Sequence, residues 1–206
     1  MVYLDTGDDL TLVAAAAEWW YAEAREVLGA TREPKLFAIE QDEHEATFEL
    51  RPPSWQAALN DRLYLLRATW GRGVAPEGFR DVVMGIHRFG EGRKHAMLKV
   101  IARPSSLDDP SGGVNRLAGL ARRVDEVCDP AYGEVVVNSG GRQPNTCLDL
   151  ALRRSRTVSA DEGRRWLRGY EWITLCPREL VDQLGGVEAL RASGAFTRVT
   201  PSPQGG

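Results

Sequence analysis

The chain has 206 residues, 43% of them hydrophobic and 27% charged, a composition that excludes an intrinsically disordered polymer and leaves a globular chain, long for one domain and short for two, with one core as the default. No stretch reaches the ~18 uninterrupted apolar residues of a membrane span, and the acidic opening MVYLDTGDDL lacks the basic and apolar regions of a secretory signal, so a cytoplasmic protein with no membrane partner is expected. The net charge of −3 is unevenly spread: residues 1–50 hold 12 Asp and Glu against 3 Lys and Arg, and the remainder carries an excess of 6 positive charges. That asymmetry fits either a charged partner for one end or two surfaces that attract each other within the fold.

The first predicted element is a helix over Asp9–Leu28. Leu10, Val13, Ala17, Trp20, Ala24, Val27 and Leu28 recur at three- and four-residue steps, with Asp8 or Asp9 to cap the start and Gly29 to end it. Short strands follow at 36–39 and 46–50, around the loop EQDEHE at 40–45, which puts four carboxylates and a histidine into six residues. This is the densest charge cluster in the chain, and it lacks the spacing of a calcium loop or a zinc site. A second helix is expected after Pro52 and Pro53, with Trp55, Leu59, Leu63, Leu66 and Trp70 as its inward stripe and Gly71 and Gly73 releasing the chain.

The clearest β signal is DVVMGIHRF, a GEG turn, then RKHAMLKVIA. A three-residue loop at Gly90–Gly92 would put Val82 opposite Val100, Met84 opposite Leu98 and Ile86 opposite Ala96, an all-apolar face. The same register sets His87 opposite His95. Two facing imidazoles could hold a metal or share a proton, or form a plain cross-strand pair, and no third ligand is spaced nearby.

In the second half, 115–128 reads as an amphipathic helix whose inward stripe includes Leu117, Leu120, Ala121, Val124, Val127 and Cys128, and 134–138 as a strand. A short helix is expected over 147–153. The arginines at 153, 154, 156, 164, 165 and 168 suggest a nucleic-acid patch until Ser159 and Glu162 are recognised as a capping box for a further short helix. Trp166 is the only aromatic residue among them, so no nucleic-acid partner is expected. A strand over 170–175 then leads through Cys176 and Pro177 into a helix containing Leu180, Val181 and Leu184, stopped at Gly185 and Gly186. Cys128, Cys147 and Cys176 form no C-x-x-C pair and read as reduced thiols.

The succession GYEWITLCPRELVDQLGGVEALRASGAF, residues 169–196, resembles the C-terminal segment of α+β immunity proteins associated with bacterial polymorphic toxins and type VI secretion effectors. The resemblance covers residues 169–200. It implies a tryptophan-bearing strand, a helix ending in Leu-Gly-Gly, a second short helix and a final strand pair. It further implies a binding protein that neutralises a cognate toxin, with no catalytic group and no cofactor. On that reading Glu40, Asp42, Glu43 and Glu45 engage a basic surface on the toxin. The alternative is an enzyme in which Cys176, at a helix N-terminus, is a nucleophile activated by His44, His87 or His95. The expected architecture is a single α+β domain over residues 1–200, with an antiparallel sheet whose central hairpin spans 81–102, and a disordered tail at 201–206.

Overall fold

The computed structural model describes residues 1–41, 45–49, 63–89, 94–104, 110–136, 151–153, 162–169 and 171–202. The chain is α+β, with antiparallel sheet and amphipathic helices, and it divides into two compact units. One comprises Met1 and residues 5–120; the other comprises residues 2–4 and 121–206.

In the first unit, helix α1 spans Leu10–Leu28 as its periodicity predicts. The Asp9 carboxylate accepts from the backbone N–H groups of Thr11 and Leu12 at 2.9 and 3.0 Å, satisfying two donors that helix geometry leaves unpaired. At the other end Gly29 adopts φ 68°, the left-handed conformation that glycine reaches without a Cβ penalty. Val13, Ala17, Trp20, Ala24 and Leu28 are buried as expected, and so is Glu23, which periodicity gave no reason to place inward.

Strands β2 (Leu36–Gln41), β3 (Glu45–Glu49), β4 (Leu63–Trp70), β5 (Phe79–Phe89) and β6 (His95–Pro104) pair in the order β3-β2-β4-β5-β6, every pairing antiparallel. Helix α1 lies on this sheet. Trp20 donates its indole N–H to the Lys99 carbonyl at 3.3 Å, and the Tyr21 ring sits 6.0 Å from Trp70 and 6.4 Å from Phe37. Leu63, Leu66, Trp70, Val82 and Leu98 are fully buried, each such side chain contributing roughly 1.5–3 kcal/mol relative to exposure.

The 81–102 hairpin forms, with β5 between β4 and β6, but its register differs from the expected one. Val82 faces Ala102, Met84 faces Val100 and Ile86 faces Leu98. The five residues 90–94 separate the strands, not three. Because the slip is two residues, every side chain stays on its predicted face while its partner changes. His87 therefore faces Met97, His95 faces Phe89, and the expected histidine pair does not form.

The helix expected over 55–70 is corrected as well, since residues 63–70 are strand β4. Leu63, Leu66 and Trp70 fit helical spacing by coincidence. Leu66, Ala68 and Trp70 are buried at strand period, and a register shift in which Glu40 pairs with Leu65 and Gln41 with Leu63 leaves Tyr64 as an extra residue in β4, which lets Leu63 point inward three residues before Leu66. The N-terminal part of that predicted helix lies outside the described residues.

Helix α2 runs Pro110–Val127, starting five residues before the predicted Asn115 with proline at its first position. Leu120, Ala121 and Val124 are buried, but Val127 is 58% exposed, because the inward stripe passes from Val124 to the half-buried Cys128.

In the second unit, strand β1 (Val2–Asp5) supplies residues 2–4 and pairs with β7 (Tyr132–Val135), which pairs in turn with β8 (Ile173–Leu175). Both ladders are antiparallel. Strand β7 ends before Asn138, and β8 is shorter than the expected 170–175. Helix α3 (Arg178–Gln183) buries Leu180 and Val181, and Gly185 and Gly186, at φ 94° and 85°, end it as the sequence indicates. Helix α4 (Gly186–Ala192) is the second short helix that the resemblance implies. The final strand pair is absent: residues 193–202 hold no strand. Residues 162–166 form a turn in which the N–H groups of Arg165 and Trp166 donate to the Glu162 carbonyl. The predicted cap Ser159, most of the predicted helix at 147–153, and residues 203–206 of the predicted tail lie outside the described residues.

Candidate functional site

The acidic loop of the sequence is the end of a β-hairpin. Gln41 of β2 pairs with Glu45 of β3, and Glu40 with Ala46, so three residues join the strands. Glu40 is half-buried near the end of β2, and Glu45 opens β3; Asp42, Glu43 and His44 lie outside the described residues. Phe37, Ala38 and Ile39 are all buried, and pairing to β3 on one side and β4 on the other fixes β2 in the sheet, which carries the acidic segment to the end of the strand pair. Among the described residues, strand β3 stands last in the strand order.

The same unit holds an open cleft of about 930 Å³, lined by Gly29 and Arg32 after α1, by the β4–β5 connection from Gly71 to Glu77, and by Phe79, Arg80 and Asp81. Arg32, Arg72 and Arg80 are exposed. Arg32 donates to the Gly73 carbonyl at 2.5 Å, and Asp81 is paired with Arg103 at 3.6 Å. Behind the cleft Arg116 holds the wall together. It donates to the carbonyls of Leu28 at 3.0 Å and Glu77 at 3.4 Å, and its guanidinium lies 5.0 Å over the Phe79 ring. Sequence reading missed this site. Gly71 and Gly73 were legible only as the exit from a helix that is in fact a strand, although the run WGRGVAPEGFRD does pair glycine-rich connection with arginines.

Cys176 lines a smaller cleft of about 100 Å³ in the second unit, with Val181, Val187, Leu190, Phe196 and Arg198 among its walls. Among the described residues, its walls contain no histidine, aspartate or glutamate. Helix α3 has Pro177 at its cap with no side-chain hydrogen bond. The two described histidines are in the first unit. His87 meets the Tyr64 ring edge-on at 4.4 Å, and the Nδ1 of His95 lies 3.1 Å from an Asp5 carboxylate oxygen. His44, the third proposed base, lies outside the described residues.

Of the arginines clustered between 153 and 168, two are used inside the second unit. Arg164 binds Glu179 of α3 at 3.1 Å and both the carbonyl and the carboxylate of Asp129 at 3.0 Å. Arg168, 2% exposed, lies between two aromatic rings, 4.7 Å from Tyr3 and 4.8 Å from Tyr132. The Tyr132 hydroxyl donates to buried Glu134 at 3.1 Å. Burial, reinforced by the Glu134 charge, pushes the Tyr132 hydroxyl far above its ordinary value, so it stays protonated and donating. Burial first and Glu134 second also raise the nearby Glu171 carboxyl. Among the described residues no three His, Cys, Asp or Glu side chains are grouped so as to hold a metal ion, and no helix is long and apolar enough to cross a membrane.

Compared with family models, curated proteins and solved structures, the chain matches none.

Proposed function

We propose that this chain is an immunity-type protein that binds and neutralises a cognate bacterial toxin, with Glu40, Asp42, Glu43 and Glu45 engaging a basic surface of that toxin. The observation that carries this reading is the β2–β3 hairpin. Its register brings Glu40 and Glu45 to the end of one strand pair, and the sequence puts Asp42 and Glu43 between them. Carboxylates concentrated there raise the rate of encounter with a basic partner and reject acidic ones. The resemblance of residues 169–196 to immunity proteins supports the same class, and the β8–α3–α4 succession follows its implied order. The cytoplasm is the compartment such a protein would work in. The test is co-purification of the tagged chain with the product of the adjoining gene. A stoichiometric complex that protects cells from that product supports the proposal, and a toxin that remains lethal in cells containing this chain refutes it.

A further inference from the structure

We infer that the cleft framed by Arg32, Arg72 and Arg80 is a second docking site, one that takes a carboxylate-bearing polypeptide segment of a protein partner. It is a different surface from the acidic hairpin and does not depend on the toxin reading. Strand β2 begins at the cleft, where the Lys35 N–H bonds the Thr69 carbonyl, and ends six residues later at the hairpin. The two surfaces thus sit at opposite ends of one strand, about 20 Å apart at the usual rise per residue.

Charge selects the ligand. Three exposed guanidinium groups come from three separate segments, and Arg72 has no partner among the described residues. Of the two acids in the lining, Asp81 is already paired with Arg103, so the cleft presents an excess of positive charge. Guanidinium groups bind carboxylate and phosphate alike. Two observations favour a polypeptide over a nucleic acid. Phe79 is only 7% exposed and already covered by Arg116, which leaves no aromatic platform for a base. Val74, Ala75 and Pro76 give the cleft an apolar stretch suited to side chains between the carboxylates.

The wall is also pre-formed. Arg116 ties the connection at Glu77 to the end of α1 at Leu28, and Arg32 ties it again at Gly73. A ligand therefore meets a surface whose ordering has been completed by folding, which limits the entropy lost on binding. A Cβ built on Gly71 or Gly73 would meet nothing within 4 Å, so the mouth of the cleft is sterically open at both glycines.

The experiment is fluorescence polarisation at low salt with the full chain and a labelled peptide of repeating Glu, Ala and Pro. Its Gln-for-Glu analogue, inorganic phosphate and oligothymidylate serve as comparisons. The acidic peptide should bind and the Gln analogue should not. The Arg72→Ala/Arg80→Ala variant should weaken binding by about tenfold or more, the equivalent of one lost charge-assisted contact. An Arg165→Ala/Arg178→Ala variant, with the same charge change in the other unit, should leave it unaltered. Arg72→Ala alone serves if the double variant unfolds, and should weaken binding in the same direction. No binding of the acidic peptide, equal weakening in the control variant, or displacement by oligothymidylate or phosphate at concentrations comparable to the peptide's would each overturn the proposal.

Discussion

The guanidinium of Arg116 lies 5.0 Å over the ring of Phe79, and the same group donates to the carbonyls of Leu28 and Glu77. One side chain of α2 thereby joins the C-terminal end of α1 to the β4–β5 connection. Truncation by Arg116→Ala removes two backbone caps and a cation–π contact, and should cost about 1–3 kcal/mol in denaturant unfolding. Arg116→Lys should recover only part of the loss, because an ammonium is a point charge without the planar fork that reaches both carbonyls and stacks. A lysine variant as stable as wild type would show that the planar geometry does not matter.

Glu171 gives the second unit a pH dependence whose sign follows from its surroundings. Its carboxyl is raised in the folded state, first by burial and then by Glu134, so the native chain holds that proton more tightly than the unfolded chain does. This contribution is complete below the unfolded carboxyl range and is lost as pH rises through the folded value. Glu171→Gln removes it. The stability of the Gln variant relative to wild type should therefore increase between pH 4 and pH 7, measured by denaturant titration at each pH. A constant difference between the two proteins would refute the assignment.

Burial raises the Cys128 thiol above its ordinary value. In a Cys147→Ser/Cys176→Ser background, alkylation of Cys128 should be slower than that of a small-molecule thiol at pH 8, and its rate profile should be displaced to higher pH. Addition of denaturant should abolish the displacement. A native rate equal to the denatured one would place the thiol in solvent.

Local signals in the sequence were legible where one chemistry dominated. The aspartate cap, the Gly29 stop and the glycine pair at 185 and 186 each require a particular residue type at a particular backbone conformation; the two glycine stops are where the sequence puts them, and the structure selects Asp9 over Asp8 as the cap. Strand β4 imitates a helix because its extra residue, Tyr64, sets Leu63 three residues before Leu66 on the buried face, and that extra residue shows only once β2 is paired alongside. The hairpin register failed for a related reason. Alternation fixes which face a residue occupies, but the length of the turn fixes its partner, and five residues intervene where GEG suggests three. The arginine-lined cleft was not visible at all, since Arg32, Arg72 and Arg80 meet only after β2, β4 and β5 have paired. Arg168 misled in the opposite direction, an apparent surface charge that packs between Tyr3 and Tyr132.

The central claim is that the acidic hairpin recruits a basic protein, and association kinetics test it most directly. Once the toxin partner is in hand, its association rate should be measured against wild type and against the Glu40→Gln/Asp42→Asn/Glu43→Gln/Glu45→Gln variant, at low and at high salt. Wild type should associate about tenfold or more faster than the variant at low salt and lose most of that advantage at high salt, while the variant changes little. Equal rates for the two proteins at both salt concentrations would contradict the account.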